Sequence, residues 1–162
     1  MRGGARICAG FGLHNSYVQT VLDARRIFRY HEPNDEVMMM QFLCAPMEGV
    51  TGDLFRQAQR QTFPAADSYY TPFLSPTANR TFSPRELREI DPAHNAGIHV
   101  VPQLMGHCAE DFLWMAGRLA DMGYDEVNFN LGCPSNTVTA KKKGAGLLTE
   151  PELLRQFFDD VF

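Results

Sequence analysis

From Met38 to the end of the chain, short apolar runs alternate with stretches of helical period. The run MMMQFLCAP has the continuous apolar character of a buried strand, and a helix is expected over 53–61 with Thr51 as its N-cap. The aromatic and threonine residues of ADSYYTPF favour a second strand, which Pro72 closes. A turn-rich stretch follows over 74–92, in which Ser83 and Pro84 open a short helix. The third strand, IHVVPQLMG, carries Pro102, which has no N–H to donate, so pairing should fail or bulge there. The clearest helix covers 109–122, with Phe112, Leu113, Met115, Ala116 and Leu119 on one broad face and Gly123 as its stop. DEVNFNLG reads as the fourth strand. Glu150 and Pro151 then open a last helix carrying Leu153, Leu154, Phe157 and Phe158.

This β-α-β-α-β-α-β-α order implies parallel strands joined by right-handed helical crossovers. Both a doubly wound sheet and a TIM (β/α)8 barrel have that order. A dinucleotide-binding sheet would want GxGxxG after its first strand, and APMEGV has too few glycines. The expectation is therefore an α/β fold: a TIM barrel truncated to about its first four β/α units, over 38–162. The chain stops inside a helical pattern at Phe162 without a capping glycine, as a truncated barrel would, and half a barrel leaves two strand edges open. Residues 1–37 are expected to be a leader outside this domain, disordered or non-native, with a short helix over 17–30 and a natural start at one of Met38, Met39 and Met40. They lack the apolar core of a signal peptide, and Asp23 and the acidic HEPNDE argue against a transit peptide.

Composition narrows the function classes. No apolar run is long enough to span a bilayer, so no membrane role is expected. Cys8, Cys44, Cys108 and Cys133 are far apart and form no CxxC pair; they read as free thiols in a reducing cytoplasm, with no metal. The formal net charge of -4 supplies no electrostatic case for binding nucleic acid.

The unusual residues fall just after strands: Ala45, Pro46, Met47 and Glu48 after the first, Pro102 and Gln103 in the third, and 128–134 at the fourth. In a (β/α)8 barrel these ends converge on the face where catalytic groups collect. Alternation along the fourth strand points Asn128 and Asn130 to one side, and two inward amides demand polar partners. Gly132 and Pro134 frame Cys133 in a tight turn, and it is either a buried thiol beside a turn or a reactive one. An ordinary thiol titrates near about 8.5 and is mostly protonated at neutral pH, which suits a general acid. The segment KKKGAGLLTEP matches neither phosphate-binding nor dinucleotide motifs. It is either a flexible solvated loop or a basic lid beside Cys133 able to meet a phosphodiester chain.

Taken together, APMEGVTG, TPFLSPTANR, VPQLMG and NFNLGCPSNTVTAKKKGAGLL closely resemble the tRNA-dihydrouridine synthases, over nearly everything after the leader. The most specific part is NLGCPS with the following KKGAGLL. The resemblance implies an FMN-binding barrel, NADPH as reductant and tRNA as the substrate partner, with the C5=C6 bond of uridine reduced to dihydrouridine. It implies that Ala45, Pro46 and Met47 touch the flavin, that Gln103 hydrogen-bonds its edge, and that Asn130 and Lys143 meet the substrate. Cys133 is implied as the catalytic proton donor. The family also uses groups from later strands and a helical RNA-binding domain, so this chain alone is expected to bind flavin weakly and turn over little or nothing. Two other readings stand beside this one: a dihydroorotate dehydrogenase-like flavin barrel acting on a free pyrimidine, and an inactive fragment. The oligomeric state and the tRNA position modified are not legible in the sequence.

Overall fold

The computed structural model describes residues 6–10, 18–19, 41–63 and 65–162. Its elements, in chain order, are strands β1 (Arg6–Gly10), β2 (Val18–Gln19) and β3 (Leu43–Cys44), helix α1 (Asp53–Thr62), strand β4 (Ser68–Tyr70) and helix α2 (Pro84–Glu89). Strands β5 (Val100–Val101) and β6 (Gln103–Leu104), helix α3 (Ala109–Asp121) and strand β7 (Glu126–Asn130) follow. A short helix α4 (Asn136–Thr139), a 3-10 helix (Gly144–Thr149) and helix α5 (Pro151–Val161) complete the chain.

Pairing is parallel between β3 and β4, β4 and β5, β6 and β7, and β7 and β1; among the described strands only β1 and β2 run antiparallel. Pro102 interrupts the third strand as its missing N–H requires, so that β5 pairs with β4 and β6 with β7. The interruption is bridged by neighbours. Leu74 N–H donates to the Gln103 carbonyl at 2.7 Å, and Asn128 N–H donates to the Pro102 carbonyl at 2.8 Å. The described strands form two sheets, β3-β4-β5 and β6-β7-β1-β2, that meet at Pro102 as one wall, with α1, α2 and α3 as the crossovers. On the far side of β7, Arg6–Gly10 runs alongside Glu126–Asn130 in a five-residue parallel register. Val18–Gln19 is a strand where a helix over 17–30 is expected. The rest of the leader, and the three methionines after it, lie outside the described residues.

One face of the wall packs against helices. Leu104, Val127, Phe129 and Leu131 meet Phe112, Met115 and Leu119 of α3 and Phe157 of α5 in a single buried cluster. The rings interlock: Phe129 stacks on Phe157 at 4.7 Å, and Phe112 meets each of them edge-on. Helix α2 begins with a capping box in which Glu86 N–H donates to Ser83 Oγ, while the Glu86 carboxylate accepts from Ser83 N–H.

Helix α1 departs from expectation. Its N-cap is Gly52, not Thr51, because the Thr51 hydroxyl is committed to the preceding turn. Thr51 Oγ1 accepts from Met47 N–H at 2.7 Å and donates to the Met47 carbonyl at 3.2 Å. The helix also turns its polar side inward. Asp53 and Arg56 are buried, whereas Leu54 is 69% exposed. Arg56 is fully enclosed and donates to Glu89 Oε2 at 2.9 Å, the Glu89 carbonyl at 2.8 Å, the Thr51 carbonyl at 3.0 Å and Asn95 Oδ1. That clasp joins the loop after β3 to the end of α2, and so fixes the loop carrying Ala45, Pro46 and Met47.

Candidate active site at the carboxyl ends of the strands

Along β7, Val127, Phe129 and Leu131 point into the helical core, so alternation sends Asn128 and Asn130 to the opposite face. Both are buried, and Gln103 of β6 sits in register beside Asn128. The three amides form a chain. Asn130 Nδ2 donates to Gln103 Oε1 at 2.8 Å, and Gln103 Nε2 donates to Asn128 Oδ1 at 2.7 Å. Gln103 is anchored further by its own backbone N–H, which donates to Thr71 Oγ1 at 3.0 Å.

The other end of the chain holds the cysteine. Asn130 Oδ1 accepts the backbone N–H groups of Gly132 at 3.2 Å and Cys133 at 3.0 Å. The Cys133 carbonyl accepts from Ala145 N–H at 3.0 Å, which ties the turn to the 3-10 helix. Cys133 is half-buried with its thiol unbridged. Gln103, Asn130 and Cys133 are therefore brought together. Ala45, Pro46 and Met47 follow the end of the parallel strand β3, and share no hydrogen bond with the amide chain among the described residues. Met47 is 60% exposed there.

Lys143 is half-buried; its backbone closes the turn between α4 and the 3-10 helix, its carbonyl accepting from Gly146 N–H at 3.0 Å. Its neighbour Lys142 makes the ion pair, with Glu150 at 2.9 Å. The segment KKKGAGLLTEP, weighed as a loop, contains the 3-10 helix, and Gly146 packs so closely on Thr139 that a Cβ there would lie 2.6 Å from the Thr139 carbonyl.

Asn128, expected from strand alternation to face the same side as Asn130, is the anchor of Gln103. One neighbour escaped sequence reasoning. His107 follows β6, and its Nδ1 is buried without a hydrogen-bond partner among the described residues; a lone His beside a Cys has no spacing signal. No group of three metal-ligating side chains exists among the described residues, and no helix among them is long and apolar enough to cross a membrane.

A family model described as dihydrouridine synthase (Dus) matches residues 43–161, which takes in β3 through α5 and every residue of the site just built. The chain belongs to the dihydrouridine synthase family. Among curated dihydrouridine synthases, a probable tRNA-dihydrouridine synthase of Staphylococcus epidermidis is 31% identical over 125 residues, which is 68% of this chain and 34% of that protein. A second probable tRNA-dihydrouridine synthase, from Staphylococcus aureus, is 29% identical over 126 residues, 69% of this chain and 34% of the other. The tRNA-dihydrouridine(20/20a) synthase of Vibrio vulnificus is 44% identical over 63 residues, 38% of this chain and 19% of its own length. The chain spans about a third of the length of the Staphylococcus relatives it matches. Of the families weighed from the sequence, the one matched is the dihydrouridine synthases.

Proposed function

We propose that this chain supplies part of a flavin-dependent tRNA-dihydrouridine synthase, in which Cys133 gives a proton to C5 of a uracil ring. The observation that carries the reading is the carboxamide of Asn130. It binds the amide row on one side and the backbone of Cys133 on the other, so donors and thiol are one rigid unit.

The donor set suits a flat heteroaromatic ring. Each carboxamide nitrogen has two N–H groups; one on Gln103 and one on Asn130 are spent within the row, leaving a second on each. Buried donors of this kind need acceptors, and the carbonyl and imine edge of an isoalloxazine or the carbonyls of a uracil provide them. FMN fits this description: Gln103 would meet its edge, while Ala45, Pro46 and the exposed Met47 side chain would give it apolar contact. When bound and reduced, with NADPH as the source of electrons, the flavin supplies hydride for C6 of the uracil. Asn130 orients the base through its remaining N–H. Cys133 holds its proton at Sγ until C5 takes it, and solvent then restores the thiol. Lys143, in the basic segment beside the turn, meets the phosphodiester chain of tRNA. The whole fits a (β/α)8 barrel of which residues 38–162 form the first four β/α units, working in the cytoplasm.

Two measurements test the reading. The purified chain is expected to carry little flavin absorbance and to turn over little by itself. In the chain extended to the length of its relatives, Cys133→Ala on unmodified tRNA should lower the rate of dihydrouridine formation by about 10²- to 10⁴-fold, the usual worth of a general acid. Equal rates would remove Cys133 from the mechanism.

A further inference from the structure

We infer that Gly144, together with the backbone N–H of Ala145, is the positioning element that sets the reach of the Cys133 thiol. This rests on the reading of Cys133 as the proton donor, and adds to it a mechanical cause for where that thiol sits.

Three backbone contacts define the pose of Cys133. Two come from the Asn130 carboxamide, which grips the N–H groups of Gly132 and Cys133 from below. The third comes from above, where Ala145 N–H holds the Cys133 carbonyl at 3.0 Å. For Ala145 to reach that carbonyl, the preceding residue must pass directly over the cysteine. Gly144 does so in a left-handed conformation, with φ of +54°. A Cβ built on Gly144 would lie 2.8 Å from the Cys133 carbonyl oxygen, 3.1 Å from Cys133 Cβ and 3.0 Å from Val138 Cγ1. Two of these three neighbours belong to the cysteine itself. One is a backbone atom that is already hydrogen-bonded and cannot give way cheaply.

A side chain at position 144 therefore has two penalties that act at the same place: the left-handed backbone and the collision. Both are relieved if the 3-10 helix lifts from the turn, and that breaks the Ala145 contact. The thiol then keeps only its lower grip. The far end of that helix stays pinned, because Leu147 is fully buried in the same cluster as Phe129 and Phe157, so the lift is confined to Gly144 and Ala145. Gly117 offers the control. It lies in α3, is exposed, and has no heavy atom within 4 Å of its would-be Cβ.

The test reads alkylation rates cysteine by cysteine, by mass spectrometry of the digested 162-residue chain, across a pH series. Cys108 is exposed and reports the reagent, whereas the half-buried Cys44 reports general loosening. Gly144→Ala is expected to raise the rate at Cys133 by about tenfold and to alter its pH profile, with Cys44 and Cys108 unchanged. Gly117→Ala should leave all three as in the parent chain. An unchanged Cys133 rate and profile in Gly144→Ala would overturn the inference, and so would Cys44 accelerating in parallel. Because no tRNA or flavin enters this assay, its outcome is independent of the dihydrouridine result for Cys133→Ala. In the extended, flavin-loaded chain, Gly144→Ala should lower kcat while KM for tRNA stays close to the parent value.

Discussion

Replacing Arg56 by Met removes the centre of the clasp between the first rim loop and the end of α2. The methionine fills much of the same space, so the principal effect is electrostatic. Glu89 is only 8% exposed, and its Oε2 has the guanidinium at 2.9 Å as its ion-pair partner. Without it, a buried carboxylate is left uncompensated, and Asn95 Oδ1 and the carbonyls of Thr51 and Glu89 each lose a donor. Breaking one side of a buried ion pair costs about 3–5 kcal/mol. Against a total stability of about 5–15 kcal/mol for a domain, that is a large fraction. With a urea slope of about 2 kcal/mol per molar, the unfolding midpoint should fall by roughly 2 M. The assay is urea unfolding followed by circular dichroism, with Arg56→Met compared to the double variant Arg56→Met/Glu89→Met. The double variant should recover part of the loss, since it strands no charge. A midpoint within about 0.5 M of the parent for Arg56→Met, about 1 kcal/mol on the same slope, would refute the claim that this buried pair holds the loop.

Three further outcomes are expected. Ser83→Ala removes the acceptor of the α2 capping box and should cost about 1 kcal/mol, read as a drop of about 2–4 °C in the thermal midpoint. Phe157→Ala empties the ring stack over Phe129 and should cost about 3–5 kcal/mol in chemical denaturation. Burial pushes the Cys44 thiol above the ordinary range, with the Arg56 guanidinium pulling more weakly downward. Its alkylation should therefore lag that of exposed Cys108 between about pH 8 and 9. The sign for stability follows. The fold favours the neutral thiol, so this contribution is whole below the ordinary thiol pKa and is lost as pH rises through the raised value.

The elements with strong periodicity were readable from the residues alone. Strand β7 and helices α3 and α5 stand within a residue or two of expectation, because alternation and helical spacing both recorded one buried face. The break at Pro102 was readable too, since a missing N–H is a property of the residue and not of its surroundings. What lay hidden depends on tertiary placement. Nothing in DLFRQAQRQT says that Arg56 faces inward and Leu54 outward; the helix moment alone would have turned it the other way. Thr51 looked like an N-cap because its competing partner, Met47, appears only when the turn forms. The pieces at Asn136–Thr139 and Gly144–Thr149 carry no apolar period, and exist through backbone fits against Cys133 and Thr139. In the site, Gln103, Asn130 and Cys133 were identifiable by type and by position after strands, whereas the bonds joining them were not.

The direction of the amide row has a consequence for selectivity. Two backbone N–H groups pin the carbonyl of Asn130, so its amino group can face only Gln103. Gln103 must answer with its carbonyl and hand its own amino group on to Asn128. No member can rotate by half a turn alone without setting like against like, so the polarity of the wall is dictated from the cysteine turn outward. A ring of the right shape that carried N–H where a carbonyl is wanted would meet hydrogen against hydrogen, and the wall could not invert to welcome it.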